Sequence, residues 1–174
     1  MIKKIHIWGI ILASVLLLSC IEERLKADDT EDAAAYLQVR GGRLLNSTDP
    51  LDNEIERLRI LAFNKSTGRC VSNKLYYAEL NDVINHPIDD GTYDFVFLAN
   101  EPNIVAIVDA LNGLYEYTDL EGITYPEQAF QSNVSIPMFQ KLENVEVLPG
   151  RDGARVDGGE IQRQIELQLE RLAT

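Results

Sequence analysis

One stretch constrains this fold more than any other: "TYDFVFLAN", residues 92–100, puts Tyr93, Phe95 and Phe97 on one face of an extended chain and Val96 and Leu98 on the other. A strand that is apolar on both faces needs cover on both, so it belongs at the centre of a sheet. The residues before it read as a hairpin. "EIERLRILAFN" sets Ile55, Arg57, Arg59, Leu61 and Phe63 on one parity and Glu56, Leu58, Ile60 and Ala62 on the other. It reads as a strand exposed at its start and buried at its end. "KSTGR" supplies a turn at Gly68, and "CVSNKLYYAEL" returns as the antiparallel partner. After a polar stretch, Asp89-Asp90-Gly91 turns the chain into the central strand.

Beyond that strand the period changes. Ile104, Ile107, Val108 and Leu111 recur at helical spacing, with Pro102 suited to the first turn and Gly113 to the C-terminal cap. Thr124 and Glu127 have capping-box spacing and suggest a single further helical turn. "NVSIPMFQKLENVEVL" reads as two short strands interrupted at Pro137, and "PGRDGARVDGG" as a Gly/Asp-rich loop. "IELQLERLAT" alternates Ile165, Leu167 and Leu169 with Glu166, Gln168 and Glu170, which predicts one strand. At the other end "YLQVR" is a short strand, and "GGRLLNSTDPLDN", with Gly41-Gly42 and Asp49-Pro50, is a loop. The expected class is mainly β with an inserted helix, a single-domain β-sandwich.

The N-terminus addresses the chain. Met1-Ile2-Lys3-Lys4 is followed by an uncharged apolar run from Ile5 to Leu18, the pattern of a secretory signal. The run is shorter than the roughly 20 residues a spanning helix needs. Leu17-Leu18-Ser19-Cys20 resembles a bacterial lipoprotein box, with cleavage between Ser19 and Cys20 and lipidation of the Cys20 thiol. Two or more acyl chains on that residue, diacylglyceryl and amide-linked, would hold the chain firmly to the outer membrane. The expected organisation is therefore a lipoprotein signal peptide over 1–19, an acidic tether over 20–35 and a folded domain over 36–174. Loss of Lys3 and Lys4 with the signal takes the formal charge from -12 to -14. Such acidity disfavours nucleic acid and anionic headgroups as partners. Glu22 and Glu23 resemble the acidic export signals of Bacteroides-type surface lipoproteins, which points to the outer face of the membrane.

The catalytic inventory is thin. With Cys20 acylated, Cys70 is the remaining cysteine and cannot form an intramolecular disulfide; it reads as a small buried strand residue. His6 leaves with the signal, so His86 is the one histidine on which a Ser-His-Asp or Cys-His arrangement could be built. It precedes Pro87 in a polar stretch without a nucleophile motif, and reads as a surface-loop residue. Zinc sites need several His or Cys ligands, calcium loops need a spacing that neither "IDDGTYD" nor "RDGARVDGG" has, and phosphate-cradling glycine motifs are absent. No catalytic residue, metal ligand or cofactor is assigned, and the chain is not expected to be an enzyme. Binding of glycans on tyrosine faces is a rival reading, with Tyr76, Tyr77, Tyr93, Tyr115, Tyr117 and Tyr125 as the rings available.

The lipoprotein box, "EIERLRILAFNKSTGR", "YDFVFLANEP", "IPM" and "LQLERLAT", in that order, together resemble the N-terminal domain of the Bacteroidales fimbrillin family, which holds polymerising stalk subunits and lipid-retaining anchor subunits. The resemblance implies a transthyretin-like β-sandwich, a second domain expected after "LERLAT", and a chain that is truncated relative to the family. It also implies that subunits join by β-strand addition to fimbrial stalk partners. In stalk subunits an arginine-specific protease removes the first strand. "YLQVR" matches that strand, and Arg40 and Arg43 are the candidate processing sites. An anchor subunit keeps its lipid and first strand, forms the membrane end of the fimbria and can limit its length.

Overall fold

The protein is described by a computed structural model over residues 35–40, 55–77, 83–130, 136–150 and 153–172. The chain from Ala33 to Thr174 forms one compact unit. Its strands are β1 (Ala35–Arg40), β2 (Arg57–Asn64), β3 (Cys70–Tyr77), β4 (Val83–Ile88), β5 (Gly91–Ala99), β6 (Met138–Val147), β7 (Ala154–Val156), β8 (Ile161–Gln162), β9 (Ile165–Glu166) and β10 (Glu170–Arg171). Two α-helices, α1 (Val105–Asn112) and α2 (Tyr117–Glu121), and a 3-10 turn at Glu127–Phe130 lie between β5 and β6. The large sheet runs β3-β2-β5-β6-β7-β8, with β10 also paired to β6; the small sheet runs β4-β1-β9. This is the expected mainly β sandwich.

β5 sits between β2 and β6, antiparallel to both, as its two apolar faces require. Tyr93, Phe95, Phe97 and Ala99 pack into the core between the sheets, with Leu58, Ile60 and Ala62 of β2, Leu37 and Val39 of β1, and Ile84 and Ile88 of β4. Val96 and Leu98 face the other way, into a second cluster with Leu61, Phe63, Ile107, Leu111 and Leu114. The helical layer therefore covers the outer face of the large sheet. α1 presents Ile107 and Leu111 to that face and ends at Gly113, whose N–H bonds the Asp109 carbonyl at 3.0 Å. Ile104 occupies the N-cap position, so Pro102 lies before the helix, in the buried turn, and not in its first turn.

β2 departs from the expectation of an exposed start, because Arg59 is 3% exposed beneath α1. Its guanidinium forms a fork onto Glu101, Nε to Oε2 at 2.5 Å and Nη2 to Oε1 at 2.8 Å. Nη1 donates to Asn73 Oδ1 at 2.6 Å and to Asn112 Oδ1 at 3.0 Å. A buried charge persists only when paired and bonded in this way. Glu101 is aimed inward by Asn100, which takes a left-handed conformation at φ 55. Asn100 Oδ1 accepts from the Glu56 N–H at 3.0 Å, and its Nδ2 donates to the Ile136 carbonyl. The Asn-Glu-Pro turn is thus a structural clamp between β2, β5 and the start of β6.

Other elements also differ from expectation. β4 is a strand where a polar stretch was expected. β6 is one ten-residue strand with Pro137 just before it, so the proline starts the strand and does not interrupt it. β7 forms inside the Gly/Asp-rich segment, where Gly153 at φ +101 lies so close to the Gln162 carbonyl that a Cβ would collide with it. Helix α2 is set by a capping box between Glu116 and Asp119 and is too short to register as a period. The last segment is not one strand: β9 pairs parallel with β1 in the small sheet, and β10 pairs antiparallel with β6 in the large one. Ile165, Leu167 and Leu169 stay buried throughout, so the segment crosses from sheet to sheet along the edge of the core.

Candidate strand-exchange site

The first strand occupies an interior seat. β1 runs antiparallel to β4 in continuous register from Ala35↔Ile88 to Arg40↔Val83, and parallel to β9 at Val39↔Ile165 and Arg40↔Glu166. Its alternation decides its facing. Leu37 and Val39 are 1% and 0% exposed, in the core. Gln38 points outward and its Nε2 donates to Asn85 Oδ1 at 3.0 Å. Holding this strand requires backbone pairing on both sides and two apolar side chains inward, a specification that any strand of matching alternation meets.

Arg40 closes the seat. Its side chain is exposed, but its carbonyl accepts the Leu167 N–H at 3.1 Å, and β4 and β9 flank it. The Arg40 carbonyl is therefore held in the sheet. Ser19, Cys20 and Arg43 lie outside the described residues.

His86 lies opposite Leu37 in the β1/β4 register. The surface-loop reading is corrected here: the residue is in β4, 0% exposed, with its side chain in the core between Ile84 and Ile88. Its Nδ1 is 2.9 Å from the Tyr76 hydroxyl on β3, so this contact joins the small sheet to the large one. Its ring also meets Phe95 edge-on at 6.3 Å between centroids. Nε2 is buried without a hydrogen-bond partner among the described residues. Burial, reinforced by the positive charge of Lys74, holds the imidazole down at about 4, and burial pushes the Tyr76 phenol up to about 12. Both groups are neutral across the ordinary range, which is what admits them to the core.

The remaining candidates do not assemble into a site. Tyr93 is in the inter-sheet core, while Tyr117 and Tyr125 pack on the helical side. Of the six tyrosines only Tyr77 and Tyr115 are exposed, and Arg69 lies over the Tyr115 ring at 5.2 Å. Cys70 is half-buried in β3, its thiol pushed up by burial. No cluster of metal-ligating side chains occurs among the described residues. Sequence reasoning missed His86 because a histidine before a proline resembles a loop; the apolar Ile84 and Ile88 flanking it at period two were the available signal.

The family profile described as "Major fimbrial subunit protein (FimA)" matches residues 41–171. No curated protein matches the chain by sequence. Among solved structures, the tip fimbrial protein Mfa3 from Porphyromonas gingivalis, with C-terminal truncation, shares 20% identity at a TM-score of 0.53, over 79% of this chain and 48% of that one. A fimbrilin (fimA) from Porphyromonas gingivalis shares 16% identity at a TM-score of 0.49, over 79% of this chain and 39% of that one. The likeness to the tip protein extends to the fold, and this chain spans about half of that protein's length. With its profile match covering most of the domain, the chain belongs to the FimA-type major fimbrial subunit family.

Proposed function

We propose that this protein is a surface lipoprotein subunit of a fimbria, of the anchoring type, joined to stalk subunits by strand addition and held to the outer membrane through lipid on Cys20. The observation that carries the reading is the β1 seat, an interior strand position defined by two backbone ladders and two inward side chains. Its role is binding and not catalysis. An exchanged strand brings its own N–H and C=O groups to β4 and β9 and its own side chains to the places of Leu37 and Val39.

The anchor reading requires that β1 stay in its seat, and the engaged Arg40 carbonyl is what supports it over a processed stalk subunit. An arginine-specific protease that cut after Arg40 would need the scissile bond extended in its own cleft, and that bond's carbonyl is engaged with Leu167. The stalk reading instead places the cut at Arg43 or requires β1 to leave first. Lipid attachment rests on the Leu17-Leu18-Ser19-Cys20 box. Expressed in its own cells, the Cys20→Ala variant is expected to lose membrane association and appear in the soluble fraction or retain its signal peptide. A Cys20→Ala chain that is cleaved and still sediments with outer membrane would remove the lipid from the mechanism.

A further inference from the structure

We propose that His86 is an acid-sensitive latch on the β1 seat, whose protonation loosens β4 from the large sheet and speeds exchange of the strand held there. The inference rests on the strand-exchange reading above and adds a regulation to it.

The geometry joins three facts at one residue. His86 is on the strand that pairs with β1 along its whole length, directly opposite Leu37. It makes the inter-sheet hydrogen bond to Tyr76. Its Nε2 has no acceptor among the described residues. Protonation places an N–H on both ring nitrogens. Tyr76 oxygen can accept one, and the other would carry its share of a positive charge into an apolar core with nothing to receive it.

The surroundings offer that charge no help. On β3, Tyr76 is neutral, and Lys74, exposed on the same face, opposes a second cation. From β5 the ring meets Phe95, behind which Tyr93 directs its hydroxyl to the Asp89 carbonyl. β1 contributes Leu37, with Gln38 and Arg40 on the opposite parity. On β9, Ile165 is buried and Glu166 is exposed, as Val83 and Asn85 are on β4 itself. Among the described residues no carboxylate is hydrogen-bonded to the ring. The other histidine of the chain is His6, within the signal segment, so His86 is the one histidine of the described residues, and it takes a proton in mildly acid conditions once it is exposed.

The sign follows directly. Unseating exposes an imidazole that titrates near 6.5, whereas the seated one titrates near 4. The open form therefore binds the extra proton, and opening becomes easier as pH falls below about 6.5. Full exposure on opening predicts about thirtyfold faster exchange at about pH 5 than at about pH 7.5.

The test uses the full chain with a specific protease site inserted between β1 and β2, cut after folding, then mixed with a fluorescent Ala35–Arg40 peptide. Uptake is measured at both pH values for the parent, His86→Gln and Tyr76→Phe. The parent is expected to accelerate about thirtyfold and His86→Gln less than about threefold. Tyr76→Phe is expected to exchange faster than the parent at both pH values and to keep the acid response. A full acid response in His86→Gln, or none in the parent, overturns the latch while leaving strand exchange standing. Absence of uptake at any pH overturns both. Should His86→Gln not fold, amide hydrogen exchange of Leu37 and Val39 in the parent decides: protection, corrected for intrinsic rate, falls between about pH 7.5 and 5 with the latch and stays constant without it.

Discussion

Glu101→Leu is expected to destabilise the domain by about 3–5 kcal/mol, the usual consequence of leaving a buried charge without its partner. Arg59 is 3% exposed and Glu101 1%, and the fork between them is the main compensation for taking the guanidinium out of water. Removal of the carboxylate leaves Nε and Nη2 unpaired beneath α1, where Leu111 and Leu61 exclude solvent. Asn73 and Asn112 still accept from Nη1, so part of the cation's bonding remains. The paired change Arg59→Met with Glu101→Leu is expected to recover at least about 2 kcal/mol of the single variant's loss, because it removes the stranded charge. It does not restore everything, since Asn73 Oδ1 then lacks its donor. Urea unfolding of the parent, both single variants and the double variant measures the cycle. A Glu101→Leu loss below about 1 kcal/mol would mean that the guanidinium is satisfied without the fork.

The second large effect concerns β1. Leu37→Ala is expected to cost about 2–5 kcal/mol, from lost burial plus the cavity left in the inter-sheet core opposite His86. Gln38→Ala, one residue along, removes only the exposed bond to Asn85 and is expected to stay within about 0.5 kcal/mol. That contrast distinguishes a strand seated in the core from one laid along a surface, where adjacent residues would respond alike. It also sets the requirement for any replacement: apolar at the places of Leu37 and Val39, indifferent at Gln38. Equal losses at the two positions, read by chemical denaturation, would contradict the observed facing of β1.

Much of the architecture was legible because apolar periodicity reports it. The two-faced run of β5, the β2/β3 hairpin and the α1 stripe each left a pattern in consecutive residues, and each took the expected place. The missed features depend on partners distant in the chain. Arg59 looked like a solvated charge because Glu101 lies 42 residues away. His86 looked like a loop residue because its admission to the core depends on Tyr76 and on remaining neutral. The segment from Ile165 to Arg171 had the right alternation, yet side-chain period does not state which backbone a strand pairs with. Its division between β1 and β6 was therefore invisible. For the site, "YLQVR" was recognisable through the family resemblance, while its seat between β4 and β9 needed three-dimensional placement. Cys20, Ser19 and Arg43 were legible as motif and lie outside the described residues.

The most direct measurement of the central claim is competition for the β1 seat. The folded, cut chain is incubated at neutral pH with labelled Ala35–Arg40 peptide, or with the same peptide carrying Leu37→Asp and Val39→Asp, and complexes are separated by native gel filtration. Strand exchange predicts that the parent peptide enters saturably and co-elutes with the domain while the aspartate peptide does not, since its two carboxylates would have to be buried in the core. Exclusion of both peptides, or equal uptake of both, would contradict the claim that this domain works by exchanging its first strand.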